Sequence, residues 1–264
     1  MSATLSIVIF TRDDAEHLRA CLAALQASPP SQPFDVVVFD NASQDHTADV
    51  LADFAPRLPL QVIARGGDTS FSQGNNQGWR ATDAPFLLFL NPDTVPNGPA
   101  LDACLELLQA RSDVGAVSPR LVYPDGEHQP TGWSLPTLGQ LAAEALLRRP
   151  REVPPDPSGA TSVGWLMGCF VMVPRPLLEE LDGWDRAFWF HGTDLELCAR
   201  IRARDRAVVR LEAHSIVHVG HRGWDRERRR AVQGAQKLWL LRDHGHLASA
   251  AYGLLATLRS ALRA

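Results

Sequence analysis

The sequence predicts an α/β fold, a mostly parallel sheet flanked by helices, and three observations predict it. Four short, mainly apolar runs, at residues 5–10, 36–39, 60–64 and 86–90, read as strands, with Ser6 and Gln61 their only polar residues, and near-continuous apolar runs are what a sheet buried on both faces requires. Between them lie segments with helical spacing, such as Leu18, Cys21, Leu22 and Leu25. The chain has 264 residues, 45% of them apolar, enough to bury one large α/β core.

Taken in order, the first strand leads into a helix begun near Asp13 and stopped by Pro29 and Pro30. The second strand precedes a helix carrying Val50, Leu51 and Phe54; the third and fourth follow, giving a doubly wound first half. After an apolar stretch at 114–117 the pattern changes. Tyr123-Pro124-Asp125-Gly126 reads as a turn, and Leu138, Leu141, Ala142, Ala145 and Leu146 predict a helix. Residues 149–159, with four prolines, read as a mobile loop, and strand material resumes at 163–173. The last segment combines a basic stretch at 226–230 with apolar and small residues at 247–264. It suits either a helix packed on the domain or a basic amphipathic surface touching anionic lipid.

The formal net charge of −4 argues against nucleic acid as a partner. Cys21, Cys104, Cys169 and Cys198 are scattered and include no C-x-x-C pair, so neither a zinc ribbon nor a disulfide framework is expected; they read as reduced and buried. No signal peptide and no membrane span are expected, which predicts a cytoplasmic protein, at most peripheral at the inner face of the membrane.

In open α/β sheets ligands gather beyond the carboxyl ends of the strands, and two such ends carry carboxylates. Phe39-Asp40-Asn41-Ala42-Ser43 presents Asp40, which either caps the next helix or accepts from a ligand such as the N–H of a pyrimidine base; Ser43 and Asp45 are available for capping and free it for the second task. In Leu90-Asn91-Pro92-Asp93-Thr94 the proline fixes the backbone and Asp93 offers a hard oxygen suited to Mg²⁺ or Mn²⁺. Asp194 stands at the start of a helix whose buried face includes Leu197 and Ile201, after the aromatic run Phe188-Trp189-Phe190; Glu196, two positions on, points away from it. His214, His218 and His221 have a four-residue first spacing that would stack on a helix, but the segment reads as extended, which disfavours a zinc hydrolase.

The order of the motifs resembles the inverting glycosyltransferases of family 2 over nearly the whole chain. Thr11-Arg12-Asp13, Asp40-Asn41-Ala42-Ser43, Phe71 to Gly78 and Asn91-Pro92-Asp93-Thr94 come first. Ser118-Pro119-Arg120-Leu121 with Pro124-Asp125-Gly126, Trp165-Leu166-Met167-Gly168-Cys169, Thr193 to Cys198 and Val217-His218-Val219-Gly220 follow. The resemblance implies a GT-A fold: a single glycosyltransferase domain with a nucleotide-sugar-binding half at 1–118, a fused acceptor-binding and catalytic half at 119–223, and a C-terminal helical segment at 224–264. It assigns Asp194 as general base, Asp93 and His218 to a divalent cation, and Thr11, Asp40, Asp68, Asn76 and Asn91 to the nucleotide sugar. Trp165, Gly168 and Glu196 go to the acceptor.

By the same resemblance the donor is dTDP-rhamnose or a UDP-sugar, and the acceptor is a saccharide or lipid-linked saccharide of bacterial surface polysaccharide. A homodimer is compatible with the sequence. Arg12, Asp13, Asp68, Ser70 and Thr193 depart from the family pattern and bear on the donor base and the acceptor. A sugar nucleotidyltransferase needs a glycine-rich phosphate loop, and none precedes Gly66; a dehydrogenase needs G-x-G-x-x-G after the first strand, which is absent. A non-catalytic sugar-nucleotide-binding partner subunit is the remaining alternative.

Overall fold

The computed structural model of the chain is described for residues 2–65, 67, 69–137 and 152–220, and for 234, 238–242, 245, 247, 249, 250 and 253. The predicted helix at 138–146, the basic stretch at 226–230, His221, Asp68 and most of 247–264 lie outside the described residues.

The first half follows the predicted alternation: β1 (Leu5–Thr11), α1 (Ala15–Ala27), β2 (Phe34–Asp40), α2 (Thr47–Phe54), β3 (Leu60–Ala64), α3 (Phe71–Arg80) and β4 (Phe86–Leu90). Next come β5 (Thr94–Val95), α4 (Gly98–Ala110), β6 (Val114–Val122), β7 (His128–Gln129), β8 (Gly132–Trp133), β9 (Ala160–Val163), β10 (Trp165–Leu166) and β11 (Phe170–Pro174). The described elements end with α5 (Arg175–Glu180), α6 (Thr193–Arg202) and β12 (Ala207–His218).

Strands run in the order β3-β2-β1-β4-β11-β6-β12-β5, with β7 beside β6 and β9 beside β12. Strands β3, β2, β1 and β4 are mutually parallel, as is β12 with β6; β11 is antiparallel to both of its neighbours. The sheet is therefore mixed beyond β4. The apolar stretch at 163–173 is three strands rather than one, and glycines interrupt it for a steric reason. A Cβ at Gly164 would sit 2.1 Å from Leu135 N, so the chain crosses another backbone there too closely for a side chain.

The mainly apolar strands reflect a core on each side of the sheet. Leu5, Ile7 and Ile9 of β1 join α1 and α4 on one face, while Val8 joins Trp79, Trp184 and Ile201 on the other. Strand β3 is the exception; at the sheet edge it leaves Val62 41% exposed. Helix α3 lies close against β1 because Gly74 and Gly78 face Phe10 and Val8 without a Cβ. Ser70 starts this helix with a capping box, its hydroxyl accepting from Gln73 N and its own N–H donating to the Gln73 amide. That gives the departure at Ser70 a local structural cause.

All four cysteines are buried and free, and burial pushes the thiols of Cys21 and Cys198 up to about 12. No helix among the described residues is long and apolar enough to cross a membrane.

Candidate active site

Strand order reverses between β1 and β4: the chain proceeds outward through β2 and β3, then returns to the other side of β1. At such a switch point the loops beyond the two strand ends part and leave a crevice. A cavity of about 620 Å³ opens there, lined by Thr11, Arg12 and Asp14 beyond β1 and by Asn91, Pro92 and Asp93 beyond β4. The later half closes it with Met167 to Cys169, Phe190 to Asp194, His218 and Gly220.

The turn Asn91-Pro92-Asp93-Thr94 is closed by Thr94, whose hydroxyl and N–H both donate to Asn91 O, at 2.7 and 3.3 Å. Asn91 N donates to Cys169 O at 2.9 Å, which ties the turn to the start of β11. Across it the end of β12 pairs with β5, placing His218 opposite Thr94. His218 Nε2 lies 3.3 Å from Asp93 Oδ2, and Gln129 Oε1 lies 2.9 Å from His218 Nδ1. Gln129 thereby fixes which ring nitrogen faces the carboxylate. Burial works against the charge on both partners and is outweighed on both. Asp93 is held below the usual carboxylate range by His218, and His218 is held above the usual imidazole range by Cys169 and Asp93.

On the facing wall, Gly192 at φ 75° lets the chain turn into α6. Asp194 in its first turn accepts from Gly168 N at 3.0 Å and from Leu195 N at 2.9 Å. Gly168 eases this approach, since a Cβ there would stand 3.1 Å from Asp194 Cβ and crowd it. Burial raises the pKa of Asp194 despite these two N–H donors. A carboxylate with a raised pKa takes up a proton more readily than an ordinary one. Thr11 Oγ1 is buried and has no hydrogen-bond partner among the described residues, so a polar ligand in the cavity would satisfy it.

Of the residues singled out from the sequence, Thr11, Asn91, Asp93, Gly168, Asp194 and His218 line this one cavity. Four others do not line it. Asp40 Oδ1 accepts from Ser43 N at 3.1 Å and Ser43 Oγ at 2.6 Å, so Ser43 occupies part of the carboxylate rather than freeing it. Glu196 pairs with Arg200 at 2.6 Å, and Arg200 in turn braces Leu181 O and Gly183 O. Trp165 stacks on Trp133 with ring centroids 4.3 Å apart.

Asn76 spends its amide on structure: it donates to Trp184 O at 2.7 Å and accepts from Trp184 N and Trp79 Nε1. Asn76→Ala is expected to cost about 2–4 kcal/mol, because it strands buried polar groups. Denaturant unfolding checks the loss, and nucleoside-diphosphate affinity at a temperature where the variant is folded should be unchanged.

Sequence reasoning did not pick out Cys169, Phe71 or Phe190 for the cavity, nor Gln129 behind it as the partner of His218. Gln129 carries no local signal, since its two-residue strand gains meaning only beside His218. Phe190 had one, the aromatic run before Asp194.

The chain also resembles known proteins. Residues 6–181 match the profile of the family described as Glycosyl transferase family 2. An N-acetylglucosaminyl-diphospho-decaprenol L-rhamnosyltransferase of Mycobacterium tuberculosis is 25% identical over 239 residues, covering 83% of this chain and 76% of that protein. The rhamnosyltransferase WbbL of Escherichia coli is 22% identical over 227 residues, covering 81% and 83%. The solved mannosyltransferase PcManGT of Pyrobaculum calidifontis, in complex with GDP-Man and Mn²⁺, superposes with a TM-score of 0.59 at 16% identity, covering 99% of this chain and 76% of that one. The shared architecture is the GT-A fold of nucleotide-sugar-dependent transferases. With two thirds of its length in the family profile and a carboxylate-lined cavity at the switch point of its sheet, this chain belongs to glycosyl transferase family 2.

Proposed function

We propose that the protein is an inverting, metal-dependent transferase that passes a sugar, rhamnose or another hexose, from a nucleoside-diphosphate donor to an acceptor hydroxyl. The observation that carries this reading is the presence of Asp93 with His218 and of Asp194 in one cavity, on walls from the two halves of the chain. Residues 1–118 form the donor half and 119–223 the acceptor half.

The donor set fits a divalent cation. Asp93 supplies a hard oxygen and His218 a nitrogen, a pairing suited to Mn²⁺ as well as Mg²⁺, and among the described residues no third side chain completes a cage. Such a site leaves positions for diphosphate oxygens and water; the PcManGT complex contains Mn²⁺ with its nucleotide sugar. When bound, the cation stabilises the charge that gathers on the departing diphosphate. Asp194 takes the proton of the acceptor hydroxyl as its oxygen bonds to the anomeric carbon. The bond from that carbon to the diphosphate oxygen breaks on the opposite face, its electron pair leaving with the diphosphate. Asp194 gains one proton, and the anomeric configuration inverts.

The names of the M. tuberculosis and E. coli relatives support a rhamnose donor and, for the first, a lipid-linked acceptor. That acceptor class would bring the enzyme to the inner membrane surface for polysaccharide assembly. Thermal-shift screening of nucleoside diphosphates with and without Mn²⁺ tests the reading, because a ligand that binds only the folded state raises the melting temperature. The expected result is a Mn²⁺-dependent rise, larger for dTDP than for UDP. No rise with any nucleoside diphosphate would remove the reading, and a preference for UDP would remove the rhamnose donor.

A further inference from the structure

The chemistry described so far employs Asp93, His218 and Asp194 but leaves the aromatic wall of the cavity without a task. Among the described residues, Trp189 and Phe190 are each 54% exposed, and of the large exposed apolar side chains Phe190 alone lines the cavity. A phenyl ring left this open costs hydration unless something covers it.

The ring is held in place rather than left loose. Ser72 Oγ donates to Phe188 O at 2.7 Å and Phe71 N donates to Trp189 O at 3.0 Å, so the run before Asp194 is pinned to the first turn of α3. Phe188 is buried and anchors the run from below. Phe190 meets Phe71 edge-on at 5.7 Å, and Phe71 is itself wedged against Trp184 and Phe10. The His191 ring also meets Phe190 edge-on at 5.2 Å, and with these contacts made about half of the Phe190 side chain still faces solvent at the cavity. Two residues further, the turn at Gly192 begins the helix that carries Asp194.

We propose that Phe190 is the stacking platform for the acceptor, taking the C–H face of a pyranose ring and so delivering one of its hydroxyls to Asp194; this rests on the transferase reading above. A pyranose has an apolar face of axial C–H bonds and a rim of hydroxyls, which suits a flat ring next to a proton-accepting carboxylate. A rigid ring loses little entropy when it is covered, so the platform orients the sugar at low cost. Trp165, stacked on Trp133 outside the cavity lining, is not available for this task.

The test uses the full-length protein with dTDP-rhamnose, Mn²⁺ and a panel of short-chain alkyl pyranosides and pyranosyl diphosphates as acceptors. Hydrolysis of the donor without acceptor tests the transferase reading by itself. Phe190→Ala is expected to raise the acceptor KM by roughly tenfold while the donor KM and donor hydrolysis stay within about twofold of wild type. Phe190→Trp should restore the acceptor KM, and Trp189→Ala, equally exposed but outside the cavity lining, should leave it unchanged. An unaltered acceptor KM in Phe190→Ala, or a defect falling on the donor KM, would overturn the platform. Donor hydrolysis by the wild type without transfer to any member of the panel would also overturn it and leave the transferase reading standing. Absence of both hydrolysis and transfer would overturn the two together.

Discussion

Replacing Asp194 with asparagine is expected to lower sugar transfer by about 10²–10⁴-fold, the span that general-base assistance contributes, with donor binding retained. The side chain keeps its size, so the change tests proton uptake rather than shape. Asparagine has one acceptor oxygen for the two N–H groups of Gly168 and Leu195 that the carboxylate now satisfies, and losing one costs about 1 kcal/mol.

An opposing effect comes from the raised pKa. A carboxyl whose folded-state pKa lies above its unfolded value gives stability that is full below the unfolded pKa and lost as pH rises through the folded one. Above the raised folded-state pKa the ionised Asp194 contributes none of this stability, and there its removal should shift the melting temperature by only a few degrees, about the yield of 1 kcal/mol. In the wild type kcat/KM should fall as pH drops through the raised pKa, since only the ionised form accepts a proton; the asparagine variant should lack that limb. Near-normal transfer by a folded Asp194→Asn protein would remove Asp194 from the reaction.

Asp93→Ala is expected to abolish the Mn²⁺-dependent rise in melting temperature with a nucleoside diphosphate and to cost turnover about 10³-fold or more, since a bound metal supplies several kcal/mol at the leaving group. The variant also leaves His218 facing Gln129 without its carboxylate partner. The lowered pKa of Asp93 means that its pairing with His218 stabilises the fold above the unfolded carboxylate pKa and is lost as pH falls through the lower folded value. His218 must shed its proton to bind a cation, so Mn²⁺ affinity in the wild type should rise with pH. Titration calorimetry with Mn²⁺ and dTDP at several pH values reads both effects. Equal Mn²⁺ affinity in wild type and Asp93→Ala would show that the cation sits elsewhere.

The strand ends that carry Asp93 and Thr11 were legible because position beyond a buried parallel strand is a local property. Asp40 shows where that reasoning stopped: its place after β2 followed from the sequence, but its bonds to Ser43 depend on the path of the turn through Ala42 at φ 58°. Asn76 and Glu196 sit in motif-like segments, yet Asn76 holds the backbone of Trp184 and Glu196 pairs with Arg200, so their side chains are engaged away from the cavity. No spacing rule separates a buried polar residue that braces a loop from one that meets a ligand.

The sequence by itself determined the alternation of buried strands and amphipathic helices, the doubly wound first half, and the carboxylates at its ligand-binding rim. Those follow from side-chain periodicity and from backbone restrictions at proline, which act over a few residues. Only the tertiary structure decided that β11 runs antiparallel between β4 and β6, that Gln129 holds His218 toward Asp93, and that Phe190 joins Asp194 on one wall. Each of these depends on segments far apart in the chain meeting across the sheet, and a local pattern reports that a face is buried without reporting what it will touch.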